Sequence, residues 1–143
     1  MAALDFQGQT VWVTGAGKGI GYATALAFVE AGAQVTGFDL AFAGESYPFA
    51  TETLDVADAP QVAEVCQRLL GGIERLDVLV NAAGILRMGA TDALSVEEWQ
   101  QTFAVNVGGA FTSSSRRWPS SAASGAGRLS PWPPTPRIRR ASA

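Results

Sequence analysis

Gly15, Gly19 and Gly21 lie within the stretch TGAGKGIG, residues 14–21. Positions without a Cβ let the backbone take positive φ, approach a pyrophosphate closely and pack a helix tightly on a strand. The stretch follows a short β-branched apolar run, TVWVT, and opens a run of helical spacing, so the glycines fall where a strand hands over to a helix start. Orphan N–H groups and the helix dipole make such a start attractive to an anion. The dinucleotide fingerprint also asks for an acid about 20 residues on, and Asp39 supplies it. Its carboxylate can accept both hydroxyl protons of an adenosine ribose and would repel a 2′-phosphate. Lys18 pulls the other way, since an ammonium in the loop could pair with that phosphate. Asp39 decides, because a carboxylate at the ribose would have to be desolvated against a dianion, whereas a loop lysine can turn into solvent. NAD is therefore the expected cofactor.

The elements that must hold these groups follow from the pattern along the chain. TVWVTG (10–15), AQVTGFD (33–39), FATETLDV (49–56) and LDVLVNAAG (76–84) read as strands, the last running into a loop of small residues. A first helix places Ile20, Ala23, Ala27 and Phe28 at helical spacing, with Gly32 where a C-cap is wanted. Asp58 is set to cap a second helix, with Pro60 in its first turn and Val62, Val65, Cys66, Leu69 and Leu70 on its apolar face. Ser95 followed by Glu98 predicts a capping box and a third helix from Val96 toward Phe111. Strands alternating with helices in this order predict an α/β fold: the N-terminal part of a Rossmann-type doubly wound parallel sheet, incomplete after the fourth strand. LDVLV is then an open sheet edge.

Composition narrows the chemistry. The 143 residues contain no histidine, which removes the commonest metal ligand and proton shuttle, so no metal site and no Ser-His-Asp triad is expected. Cys66 is the lone cysteine, so no disulfide forms within the chain, in keeping with a cytoplasmic setting. No apolar run is long enough for a membrane span, and MAALDFQGQT lacks the character of a signal peptide. Cys66, Trp99 and Phe103 read as packing residues.

The motifs together resemble the short-chain dehydrogenase/reductase family: Thr14 to Gly21 as its glycine loop, Asp39 as its acid, Asp55 and Val56 ending the third strand, Asn81, Ala82, Ala83 and Gly84 as its NAAG segment, and Asn106 in FAVNVGG. The resemblance implies that Ile20, in the loop, and the NAAG segment line the cofactor, and that the Asp-Val pair faces the adenine. It also implies that Asn106 belongs to a catalytic Asn-Ser-Tyr-Lys set and helps, through a kink in its helix, to anchor a water near the lysine. Such an enzyme takes a hydride from a secondary alcohol carbon, with a tyrosine as base and a lysine lowering its pKa. Two stretches, residues 11–39 and 81–95, resemble a branch of the family acting on a small-molecule substrate, a cyclic dihydrodiol bearing a carboxylate. Arg87, just beyond the fourth strand, could grip that carboxylate as a fork, or stand as a solvated loop arginine. The family is commonly oligomeric through late helices, and that interface is not expected here.

The tyrosine base is missing. Tyr22 and Tyr47 are the only tyrosines, neither is followed four residues later by lysine, and Lys18 is the only lysine. Charge marks where the sequence changes character: all 13 acids and only four bases precede Phe111, a net of −9, while the other six bases, all arginines, and five of the seven prolines follow Thr112. Residues 1–111 thus read as the NAD-binding part and 112–143 as a disordered Arg/Ser/Pro-rich tail. The genetic code accounts for the change. Leu129 to Ala143 and a TGA stop after them can be encoded so that the same bases, read one position earlier from the last base of an Arg128 codon CGA, give IVTVASDAAHTPRIGM, an apolar strand and a serine-bearing loop. The same offset turns TSSSRRWPSSAASGAGR into a helix such as LFQQTMAQFRRQRGR. A one-base deletion near codon 112 is the expectation, and an independent nucleotide read with an intact frame there would defeat it. Arginines with Trp118 and Trp132 could instead suit a nucleic acid, and SPWPPTP a polyproline-binding domain. A shifted GC-rich frame produces the same composition, so no nucleic-acid or membrane partner is expected.

Overall fold

The computed structural model describes residues 5–44, 46–90 and 92–114. Four strands, β1 (Thr10–Thr14), β2 (Gln34–Asp39), β3 (Ala50–Thr53) and β4 (Val78–Asn81), form one sheet in the order β3-β2-β1-β4. All three pairings are parallel, with Trp12 opposite Thr36 on one side and Leu79 on the other. The chain therefore steps outward from β1 through β2 to β3, then jumps back across β1 to lay down β4. That reversal opens a crevice between the carboxyl ends of β1 and β4, the place where open α/β sheets receive ligands. Among the described residues no strand pairs with the far side of β4.

Both faces of the sheet are covered, as a buried parallel sheet requires. The strand period of two sends Val11 and Val13 to one face and Trp12 to the other, and all three are at most 2% exposed. On the first face Val11, Val13 and Val35 pack with Ala25 of α1 (Gly19–Glu30) and with Phe49. On the second, Trp12, Phe38, Leu54 and Val56 pack with Val62, Val65 and Cys66 of α2 (Ala59–Leu70). Asp58 caps α2 as its sequence predicts, its side chain accepting from Gln61 N at 3.0 Å. Arg68 of α2 reaches Glu52 of β3 through two N–H···O bonds, and the hydrogen bonds and charge of that carboxylate raise the guanidinium pKa.

The first helix forms where the sequence places it, with Gly32 just past its end at φ +88°. Gly21 and Ala25 face the sheet, while Ile20 is 83% exposed and lines an open apolar groove with Ala23, Ala27, Phe28 and Phe6. A helix apolar on all sides offers the periodicity no polar face from which to choose its buried one. The strands end earlier than the apolar runs do. After Leu54 the Asp55 N–H donates to Gln61 Oε1 and the Asp55 carboxylate accepts from Ala57 N, turning β3 out of the ladder.

The third helix is not uniform. It comprises α3 (Val96–Phe103), a π-helical turn (Ala104–Gly109) and α4 (Ala110–Ser114). Ser95 and Glu98 form both bonds of the expected capping box. Helix α4 continues through Thr112, Ser113 and Ser114, so the change of composition at 111/112 falls inside a helix. Thr112 and Ser113 send their hydroxyls back to the carbonyls of Gly108 and Gly109, a local bond that lets such residues sit in a helix. The remainder of the tail assigned to 112–143 lies outside the described residues.

Candidate functional site

The crevice between β1 and β4 is walled by the glycine loop on one side and the NAAG segment on the other. Thr14, the last residue of β1, joins them: its Oγ1 accepts from both Ala82 N and Ala83 N at 3.2 Å. The hydroxyl thereby does for β4 what the next strand residue would have done, and the chain leaves the sheet after Asn81. Thr14 itself is 3% exposed. Thr14→Val keeps the shape but strands two amide donors, which costs about 1–3 kcal/mol. A fall in the urea midpoint of the 143-residue chain with an unchanged slope is the expected measurement, and an unchanged midpoint would contradict the role.

Gly15 has φ +71°, and a Cβ there would lie 2.7 Å from the Ala82 carbonyl and from Ala83 Cα. Gly21 leaves no room either, because a Cβ on it would collide with the Gly15 carbonyl. These two glycines let the turn, the helix and the NAAG segment meet backbone to backbone. Gly19, at φ +60°, opens α1 with free space where a Cβ would project. Its N-cap, Lys18, makes no side-chain cap, and no acidic side chain occupies the first turn. An uncapped first turn beside open space suits an incoming anion.

Asp39 ends β2 beside the same loop. Its Oδ2 accepts from Gly17 N and its Oδ1 from Leu40 N, both at 2.8 Å. Each carboxylate oxygen keeps a further lone pair, so the half-buried group is fixed in direction yet still able to accept a ligand's hydroxyls. A Cβ on Gly17 would stand 2.9 Å from that carboxylate, which explains a glycine at that position. Sequence reading did not single out Gly17, and its spacing from Asp39 is the signal that could have done so.

The structure draws Asn106 to the NAAG segment. Its Oδ1 accepts from Ile85 N at 2.8 Å and its Nδ2 donates to Ile85 O at 2.9 Å, with Gly84 alongside. It lies at the middle of the π-helical turn, so the helix departs from α geometry at the residue for which a kink is expected. Asn81 is tied to the same helix: Ser113 Oγ approaches its Oδ1 at 2.6 Å and its Nδ2 donates to Ser114 Oγ at 3.0 Å. These serines carry no sequence signal, since their partner is 32 and 33 residues away.

Asp55 and Val56 separate in role. Val56 is 7% exposed and packs in the core toward Gly109, where a Cβ would lie 2.6 Å from its Cγ2. Asp55 is half-buried at the rim and caps its own turn. Arg87 is exposed beyond β4 and donates from Nη2 to Gln101 Oε1 of α3 at 3.1 Å. Ile20 stands exposed at the helix start. The carboxyl ends of the strands thus gather the loop glycines, Asp39, the NAAG segment and Asn106, and they leave Val56 in the core. Among the described residues no three His, Cys, Asp or Glu side chains gather as a metal site, and no helix is long and apolar enough to cross a membrane.

A parallel sheet wound in this order, with a glycine loop at the start of α1 and an acid at the end of β2, is a Rossmann-like α/β arrangement. The short chain dehydrogenase family model matches residues 9–129, and the chain belongs to that family of NAD(P)-dependent oxidoreductases. The match runs past residue 112 into the arginine-rich stretch. Over 108 residues the chain is 82% identical to the 2,3-dihydro-2,3-dihydroxybenzoate dehydrogenase of Escherichia coli K12, covering 76% of this chain and 44% of that protein. The enzyme of the same name from Bacillus subtilis is 33% identical over 124 residues, 80% of this chain and 48% of its own. Among solved structures, the ligand-free aldohexose dehydrogenase of Thermoplasma acidophilum superposes with a TM-score of 0.72 at 32% identity, covering 76% of this chain and 42% of that one. The chain spans about half the length of the curated relatives it matches.

Proposed function

We propose that this chain is the cofactor-holding half of an NAD-dependent 2,3-dihydro-2,3-dihydroxybenzoate dehydrogenase. The observation that carries the reading is the 82% identity to the E. coli enzyme of that name over 108 residues. The residues present fit the cofactor, because the uncapped start of α1 stands beside a carboxylate already aimed by two backbone N–H groups. Gly15, Gly19 and Gly21 let the loop approach a pyrophosphate, and Asp39 takes the ribose hydroxyls and disfavours a 2′-phosphate. Bound NAD⁺ supplies the hydride acceptor for the alcohol carbon of the dihydrodiol acid. Asn106 holds the floor of the crevice in place through Ile85. Arg87, exposed beyond the end of β4, is assigned the substrate carboxylate.

Proton removal needs a base that these residues do not provide. Tyr22 and Tyr47 are packed edge to face against each other, with centroids 5.9 Å apart, and neither stands four residues before the single lysine. A frame change near codon 112 is part of this proposal, since it separates the cofactor half from the serine, tyrosine and lysine of the family's set.

The purified 143-residue chain, mixed with NAD⁺ and the dihydrodiol acid, is therefore expected to form no NADH detectable above the uncatalysed rate. Turnover that Asn106→Ala abolishes would overturn the proposal. In a chain with the frame restored, Arg87→Ala is expected to raise KM for the acid about 10-fold or more with kcat little changed, the loss of a charge-assisted pair. An unchanged KM removes the assignment of Arg87.

A further inference from the structure

The ten residues between β2 and β3 carry a tyrosine that the reaction does not use. Tyr47 sits in an aromatic cluster, with ring centroids 5.0 Å from Phe42, 5.5 Å from Phe49 and 5.9 Å from Tyr22. Phe49 belongs to the core and Tyr22 to α1, so the cluster fastens the β2–β3 connection to the first helix. Packing alone would be served as well by phenylalanine. The hydroxyl does something more specific: it donates to Gly17 O at 3.1 Å and accepts from Gly44 N at 3.3 Å.

Gly17 is thus held at both of its peptide groups. Its N–H is taken by Asp39 Oδ2 at 2.8 Å, and its carbonyl by Tyr47. The Gly17 carbonyl shares a planar peptide unit with the Lys18 N–H, so fixing the oxygen fixes the direction of that N–H at the threshold of α1. The same bond holds Gly17 in register with Asp39, whose ribose-accepting face depends on where the Gly17 N–H pulls it. A glycine at this position is free to rotate, and Tyr47 removes that freedom before any ligand arrives.

We propose that Tyr47 is a positioning residue for dinucleotide binding. Its hydroxyl presets the Gly17–Lys18 peptide and, through Gly17, the Asp39 carboxylate, so that the phosphate loop and the ribose acid are held in one arrangement. The proposal rests on the reading of this crevice as an NAD site.

The test is Tyr47→Phe in the 143-residue chain, which keeps the ring cluster and deletes the one hydroxyl. Calorimetric titration with NAD⁺ and with ADP-ribose is expected to show both weakened by the same factor, about 5- to 10-fold, the worth of one preorganising hydrogen bond. Amide exchange without ligand is expected to speed up at residues 17–20 while β1 and β2 keep their protection. A merely structural tyrosine would loosen the sheet as well, so an equal loss of protection across β1 overturns the proposal. Unchanged affinities with unchanged exchange at residues 17–20 also overturn it. Should the parent chain bind neither ligand, the NAD reading fails. Parent binding that Tyr47→Phe leaves intact defeats the positioning role alone.

Discussion

Gly15→Ala is expected to destroy the crevice and most of the fold with it. The added Cβ would meet the Ala82 carbonyl and Ala83 Cα at 2.7 Å, all backbone atoms that cannot swing aside as a side chain could. Those atoms are held in place by Thr14 Oγ1, and Thr14 is itself buried in the central strand. A φ of +71° adds a second cost, about 1–2 kcal/mol for any L side chain in that region. Overpacking against fixed atoms contributes about 1–3 kcal/mol more. Together these approach half of the roughly 5–15 kcal/mol that holds an ordinary domain, and a four-stranded half-sheet starts from less. Far-ultraviolet circular dichroism of the variant should show the helical signal lost at a temperature where the parent retains it. A parent-like melting curve would mean that the glycine loop and NAAG segment do not touch as described.

Asp39→Ala is the second large effect, and it falls on ligand choice. The carboxylate accepts from Gly17 N and Leu40 N and is proposed to accept from the ribose hydroxyls as well. Bonds to a charged acceptor are worth about 1.5–3 kcal/mol each, so losing two at the ribose weakens NAD binding by about 100-fold or more. NADP binding should move the other way or stay level, because the repulsion between the carboxylate and a 2′-phosphate goes with the side chain and Lys18 remains in the loop. The ratio of the two affinities is therefore the informative number. If alanine weakens both cofactors equally, Asp39 shapes the loop without selecting the sugar.

How much of this was legible in the sequence depended on the range of each signal. The glycine loop, the Asp58 cap and the Ser95–Glu98 box are written within a few residues and are found where their spacing puts them. The parallel order of strands followed from their alternation with helices. The buried side of α1 did not, because Gly21 and Ala25 face the sheet and Ile20, Ala23 and Ala27 the open groove, while Phe28 of the same apolar spacing packs on the core. Contacts across long separations were also out of reach. The hold of Tyr47 on Gly17 spans 30 residues, and that of Thr14 on Ala82 spans 68. A hydroxyl in a strand or loop carries no mark of the backbone atom it will meet. The π-helical turn lies between the two, since a kink at Asn106 was legible only through the family resemblance, and its bonds to Ile85 are what give the irregularity a partner.

Calorimetric titration of the purified 143-residue chain with NAD⁺ and, separately, NADP⁺ bears most directly on the account, which holds that residues 10–84 already contain a dinucleotide cradle choosing the unphosphorylated ribose. Saturable heat with NAD⁺ is predicted, weak in absolute terms, with NADP⁺ bound at least about tenfold less tightly, a difference of about 1.4 kcal/mol. Equal affinities, a preference for NADP⁺, or no heat from a chain that circular dichroism shows to be folded would contradict it.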